Sequence, residues 1–152
     1  MIPVVSLVRR TLEELVADAN ARIQRVEPAD AFAAVERGAL LIDIRSDSDR
    51  KRDGIVPGSL HIPRTVLEWR VDPDGDLRNP HVEGVDQQIL LFCDQGYSSV
   101  FAAAMLVDLG FTRAGDVVGG FMAWRDAGLP TKPAPRHRRG PDEAAGMRAP
   151  DR

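Results

Sequence analysis

A single cysteine, Cys93, is followed by Asp94, Gln95, Gly96, Tyr97, Ser98 and Ser99 and then by a long apolar segment. Successive backbone N–H groups of a tight loop can form an anion-binding concavity, and a helix that follows adds the positive end of its dipole. Both favour a thiolate, the nucleophilic form of cysteine. Such settings lower a thiol pKa from about 8.5 to roughly 3.5–7.5. The same position also suits a buried cysteine acting as a small hydrophobe at a strand end, and the loop alone leaves both readings open.

The elements that must position this loop are legible on either side. Ile89, Leu90, Leu91 and Phe92 form a short continuous apolar run, which predicts a strand buried on both faces. Val100, Phe101, Ala103, Ala104, Leu106, Val107 and Leu109 recur at helical spacing, and Gly110 is placed to end the helix. Between strand and helix the chain turns sharply, and Gly96 supplies the backbone freedom for the turn.

With 152 residues, one domain is expected, and a hydrophobic fraction of 43% is enough for its core. The net charge of −3 gives no bulk field toward nucleic acid or anionic lipid. One cysteine rules out an internal disulfide framework and argues for a reducing compartment. No apolar run approaches the roughly 18 residues a membrane span needs, and the opening MIPVVSLVRR has the reverse polarity of a secretory signal. A cytoplasmic protein without membrane or nucleic-acid partners is the expectation.

Along the chain, residues 5–20 predict an amphipathic helix with Leu7, Val8, Leu12, Leu15 and Val16 on one side. A short strand is expected from Ile23 to Val26. A helix should begin at Pro28 and close at Gly38, and ALLIDI from Ala39 to Ile44 predicts a second buried strand. Residues 47–52 form a polar, helix-compatible excursion, and GIVPGSLHIP (54–63) a turn and short strand. Residues 64–71 predict a brief helix ended by the Asp72-Pro73-Asp74-Gly75 turn, and residues 76–86 a polar surface loop. A strand from Ala114 to Val118 precedes Gly119-Gly120 and a last helix over 121–127. Beyond Pro130 large apolar residues almost vanish, which predicts a disordered tail. Strands alternating with helices argue for an α/β domain, a mostly parallel central sheet flanked by helices on both faces. Ligand sites in such sheets lie at the carboxyl ends of strands, and Cys93 stands at one.

Four separated stretches resemble, in order, the signatures of the rhodanese-like sulfurtransferase family. LLIDIR (40–45) resembles its strand ending in Asp-x-Arg. GIVPGSLHIP resembles its Gly-His-Ile-Pro-Gly-Ala segment, with Ile55 where histidine is common. FCDQGYSS (92–99) resembles its cysteine loop, and DLGFTRAGDVVGGFMAWRDAGLP (108–130) its closing signature. The resemblance implies a rhodanese-like fold over residues 23–131, with residues 1–22 a helical extension and 132–152 the tail. It also implies sulfane-sulfur transfer through a Cys93 persulfide, from a small-molecule or protein-bound donor to a thiol or cyanide acceptor, with no cofactor or metal. The loop 94–99 would hold the transferred sulfur, and Asp43 and Arg45 would support the site from beneath.

Within the cysteine loop, two positions depart from the family pattern. Many members carry arginine where this chain has Ser98, and Asp94 adds a negative charge beside the nucleophile. An inward Asp94 would repel an anionic donor and raise the thiol pKa. Arg64 and Arg70 are candidates for the missing cation. Tyr97 is expected at the pocket mouth and Trp69 and Trp124 in packing roles. His61, His81 and His137 lack metal-ligand spacing, and Arg136-His137-Arg138-Arg139 is too short and isolated to indicate nucleic acid. A non-catalytic binding or redox-sensing module remains a second class. A cysteine-loop phosphatase or arsenate reductase is a third, although such sites need arginine at the position of Ser99. The oligomeric state has no signature in the sequence.

Overall fold

The computed structural model describes residues 8–136. The first residues of the expected opening helix, 5–7, and most of the expected tail, with residues 137–139 of the basic cluster, lie outside the described residues.

Five strands form one parallel sheet: β1 (Gln24–Val26), β2 (Leu40–Asp43), β3 (Leu60–His61), β4 (Ile89–Phe92) and β5 (Ala114–Val117), in the spatial order β1, β5, β4, β2, β3. From β2 the chain moves outward to β3 on one side; from β4 it moves to β5 on the other. The winding therefore reverses between β2 and β4, where open α/β sheets carry their ligand crevice. Cys93 follows β4 at that reversal.

Helices cover both faces because every strand connection crosses between parallel strands. Ile89, Leu91 and Cys93 point to one face, where Leu106 and Phe111 pack with Leu67 and Val71. Leu90 and Phe92 point to the other, among Ala31, Ala34, Phe121 and Trp124. Burying each large side chain of β4 contributes roughly 1.5–3 kcal/mol, so the strand beneath Cys93 is fixed from both sides. The elements responsible are α2 (Pro28–Glu36) and α6 (Gly120–Asp126) on one face, and α4 (Leu67–Val71) and α5 (Ser98–Asp108) on the other. Helix α5 ends as its sequence requires: Gly110 takes φ +106, its N–H reaches the Val107 carbonyl and that of Phe111 the Leu106 carbonyl, a Schellman closure.

Five expectations need correction. The first helix, α1 (Leu12–Arg22), starts late because the Thr11 hydroxyl caps the Glu14 N–H and two glutamates follow in the first turn. Its expected apolar stripe is not the packed face. Val8 and Leu12 are 80% and 68% exposed, and Ala19 instead meets Val100 and Ala104 of α5. Small residues permit the closer helix approach. Trp69 is 58% exposed and is not a packing residue, whereas Trp124 is buried edge-on to Phe32. The 76–86 loop is pinned inward by fully buried Val82, with Asn79 bonding the Arg70 carbonyl through its N–H. At the far end, Lys132 of the expected tail exchanges two backbone hydrogen bonds with Ile55.

A charged cluster closes the carboxyl end of β2, where α3 (Asp47–Asp53) follows. Buried Asp43 accepts from Arg45 Nε and Nη2 at 3.0 and 2.9 Å and from Arg50 Nε at 3.3 Å. The Arg45 guanidinium lies 4.0 Å over the Phe121 ring. His61 Nε2 donates to the Arg45 carbonyl at 2.8 Å, so Nδ1 is the acceptor for Arg50 Nη1 at 3.1 Å. Only the neutral imidazole satisfies both partners. Burial, and the neighbouring Arg50 charge, hold the His61 pKa below its ordinary value although the Arg45 carbonyl favours the charged form.

The unfolded chain therefore takes up the His61 proton at a higher pH than the folded one. Its stabilising contribution is complete above the ordinary histidine range and is lost as pH falls from there through the lowered folded value. Urea unfolding at pH 7.5 and pH 5 should show a smaller loss of midpoint in His61→Gln than in the parent. An equal loss in both would exclude His61 from the acid response.

Candidate functional site

Strand β4 delivers Cys93 to the start of the loop with only 7% of its surface exposed. The Gly96 N–H donates to Sγ at 3.1 Å, and Sγ lies 3.4 Å from the Ser99 hydroxyl oxygen. Burial pushes the Cys93 thiol up, but hydrogen bonds from the hydroxyl and amide of Ser99, the hydroxyl of Ser98 and the amide of Gly96 more than offset it. The thiol consequently titrates below its ordinary value. The N-terminus of α5 begins at Ser98 and adds the positive end of its dipole.

The loop takes this shape by pressing glycine against glycine. Gly96 adopts φ +87, and a Cβ there would stand 2.7 Å from the Gly119 nitrogen. Gly120 adopts φ +62, and its Cβ would fall 2.4 Å from the Cys93 carbonyl oxygen. Because that space is empty, the first amides of α6 reach the loop: Phe121 N–H donates to the Cys93 carbonyl at 2.9 Å and Met122 N–H to that of Asp94 at 3.0 Å. The paired glycines are thus a clamp on the backbone that carries Cys93.

Residues expected at the site fall into three groups. Cys93, Gly96, Ser98 and Ser99 converge on the sulfur. Gln95 and Tyr97 line the outer rim, Tyr97 with 78% of its surface exposed. Asp94 is half-buried, and its Oδ1 is buried without a hydrogen-bond partner among the described residues. Asp43 and Arg45 form the buried pair at the end of β2, with the Arg45 guanidinium 5.6 Å from the Phe92 ring. Arg64 is engaged by Glu68 and lines a groove with Phe101 and Met105, while Arg70 donates to the Leu77 carbonyl. Both candidate cations are thus occupied within their own segment.

Two functional candidates have no counterpart in the sequence reading. Ser99 Oγ donates to Asp116 Oδ2 at 2.7 Å, and Asp116 is wholly buried on β5. Arg25 of β1 grips the same carboxylate through Nε at 2.9 Å and Nη2 at 3.0 Å, and Nη2 also donates to the Gly96 carbonyl at 3.0 Å. Asp116 left one trace, an acid inside a small apolar strand. Arg25 left none, because its role depends on β1 pairing with a strand 91 residues away.

A family profile for the rhodanese-like domain matches residues 27–127, two thirds of the chain. This chain belongs to the rhodanese-like family. Among curated rhodanese-like relatives, a thiosulfate sulfurtransferase GlpE of Pseudomonas savastanoi pv. phaseolicola is 32% identical over 103 residues, 67% of this chain and 87% of its own length. Thiosulfate sulfurtransferase 16, chloroplastic, of Arabidopsis thaliana is 43% identical over 98 residues, covering 62% and 81% respectively. A solved Rhodopseudomonas palustris protein, described as of unknown function and a possible tyrosine phosphatase, superposes with a TM-score of 0.74 at 32% identity. The match covers 86% of this chain and all of that one. Among the described residues, no group of His, Cys, Asp and Glu is arranged to hold a metal ion, and no helix is long and apolar enough to cross a membrane.

The glycine clamp can be separated from ordinary glycine strain. Gly128 has a similar φ of +73 with open space where a Cβ would go. Gly128→Ala should cost about 1 kcal/mol from backbone conformation alone. Gly120→Ala should cost clearly more, roughly 2–4 kcal/mol, since strain and backbone collision add. Denaturant midpoints of the two variants measure the difference, and equal costs would remove the clamp from the account.

Proposed function

We propose that this rhodanese-like chain is a sulfurtransferase that carries sulfane sulfur as a persulfide on Cys93. The observation that carries the reading is the sulfur itself: nearly buried, facing the Gly96 N–H and the start of α5, with its thiol held below the ordinary value. In the first step the Cys93 thiolate attacks the outer sulfur of the donor. An Sγ–S bond forms as the donor's sulfur–sulfur bond breaks, and the remainder leaves with the electron pair. In the second, a thiolate or cyanide attacks that outer sulfur, the Sγ–S bond breaks, and Cys93 returns as thiolate. The loop donors stabilise charge on the terminal sulfur as an oxyanion hole does on oxygen.

The loop bears on the donor. Ser98 is a neutral hydrogen-bond donor where many family members place a cation, and Asp94 keeps a carboxylate close by. Thiosulfate, a dianion, is disfavoured relative to a polysulfide or a persulfide carried by another protein. The relatives' names attach thiosulfate to those proteins; for this chain the proposed partners are a small-molecule or protein-bound donor and a thiol acceptor. A lone cysteine suits a reducing compartment, and the proposed location is the cytoplasm.

Phosphoryl transfer by a cysteine loop requires donors around the transferred oxygens. Here the sixth residue after the cysteine, Ser99, directs its hydroxyl at the Asp116 carboxylate. That arrangement argues against a phosphatase, and no hydrolysis of p-nitrophenyl phosphate is expected.

Intact-protein mass spectrometry after brief exposure to polysulfide should show the gain of one sulfur on Cys93, removed by cyanide. Cys93→Ser should abolish loading while the domain stays folded. Absence of loading by either polysulfide or thiosulfate would favour a binding or redox-sensing module. Ser98→Arg should raise turnover with thiosulfate by about tenfold, the order expected for one added charge contact, and should change turnover with polysulfide less. An equal effect on both donors would sink the charge argument.

A further inference from the structure

Strands β1 and β5 run in register so that Arg25 lies opposite Asp116. The pairing brings a guanidinium from the sheet edge over a carboxylate that is wholly buried. From Asp116 the hydrogen bonds continue through the Ser99 hydroxyl to Cys93 Sγ. A second branch leaves Arg25 for the Gly96 carbonyl, the residue whose own N–H faces the sulfur. We propose that Arg25 and Asp116 are positioning residues for Cys93: Asp116 holds the Ser99 hydroxyl at the sulfur, and Arg25 neutralises this buried carboxylate so that a sulfur anion can exist beside it. The inference rests on the reading of Cys93 as the nucleophile.

Proton counting shows why both partners are needed. A hydroxyl has one hydrogen. With Cys93 as a thiol, S–H donates to Ser99 Oγ and the Ser99 O–H donates to Asp116. When the thiol proton leaves to solvent, the sulfur has nothing to donate and becomes an acceptor. The Ser99 hydrogen can then turn from Asp116 to the sulfur, while Asp116 keeps its two bonds from Arg25. Without Arg25, Ser99 would be the one hydrogen-bond donor left to a buried carboxylate among the described residues, and two uncompensated negative groups would share one hydroxyl. Breaking a buried charge pair on one side carries a large penalty.

The other charges around Cys93 do not replace this pair. Asp94 in the loop and Glu27 just past β1 are acidic. Asp43 and Arg45, at the end of β2, are paired with each other. The first turns of α5 and α6 carry no acidic side chain. The Arg25 charge is favoured first by its hydrogen bond to Asp116 and further by the Cys93 sulfur. Arg25 therefore supplies, from beneath, a cation in a loop that has serine at position 98.

The test is the pH profile of Cys93 alkylation by iodoacetamide, a neutral reagent that reports the thiolate fraction. Arg25→Gln leaves the carboxylate unpaired and should move the midpoint up by about one pH unit, a tenfold loss of rate on the acid limb. Asp116→Asn leaves the guanidinium unpaired and should move it down. The double variant R25Q/D116N should return it to within about half a unit of the parent, as should Arg25→Lys, which keeps the charge. Circular dichroism confirms that each variant is folded, and Arg25→Lys and Asp116→Asn are mild enough to decide the matter if R25Q does not fold. Shifts of the same sign in both single variants, or no shift in either, would overturn the proposal. Sulfur loading of the parent is scored separately. Opposite shifts without any loading would leave the pair's role standing and remove the sulfurtransferase reading; loading with unshifted profiles would do the reverse.

Discussion

A sulfur anion at the end of a fully buried strand cannot rely on water, so the protein must supply its hydrogen bonds and its counter-charge. That requirement organises everything around Cys93. The four apolar residues of β4 take the chain into the middle of the sheet and leave the thiol almost covered. Burial by itself works against ionisation. The loop answers with amides and hydroxyls from Gly96, Ser98 and Ser99, and its backbone is held in that shape by the amides of α6. Because α6 must approach so closely, its first residues are glycines.

Two buried ionic groups flank β4, and only one of them is connected to the sulfur. On the β2 side, Asp43 accepts from Arg45 and Arg50, and the Arg45 guanidinium donates to the Gly54 carbonyl and lies over the Phe121 ring. On the β5 side, Asp116 and Arg25 stay connected to the sulfur through Ser99 and Gly96. The first group is bonded within its own strand end; the second reaches the Cys93 sulfur through Ser99. Their contrast shows that a buried carboxylate acquires meaning from what its partner also touches.

The strand–loop–helix around Cys93 was legible because its signals are local: an apolar run, a glycine, a helical period and a terminal glycine. The parallel sheet followed from the alternation of such segments. What escaped the sequence has a common physical origin. Arg25 and Asp116 meet only after the chain has wound through the whole sheet, and nothing near either residue announces the other. The α1 stripe of Leu12 and Leu15 misled because helical period shows which residues share a face and not which face is packed; small Ala19 won the contact with α5. Trp69 failed likewise, since a large apolar side chain on a five-residue helix found no facing partner among the described residues. Arg64 and Arg70, plausible cations by sequence proximity to the site, found partners within a few residues instead.

Strand β1 is three residues long, lies at the rim of the sheet and, among the described residues, is paired on one side only, with β5. Short edge strands are among the first elements to open in native-state fluctuations. In this molecule, any opening of β1 would lift the Arg25 guanidinium from Asp116 and from the Gly96 carbonyl together. The opening of the rim and the ionisation of a thiol in the interior are thereby linked, each shifting the other through the same guanidinium.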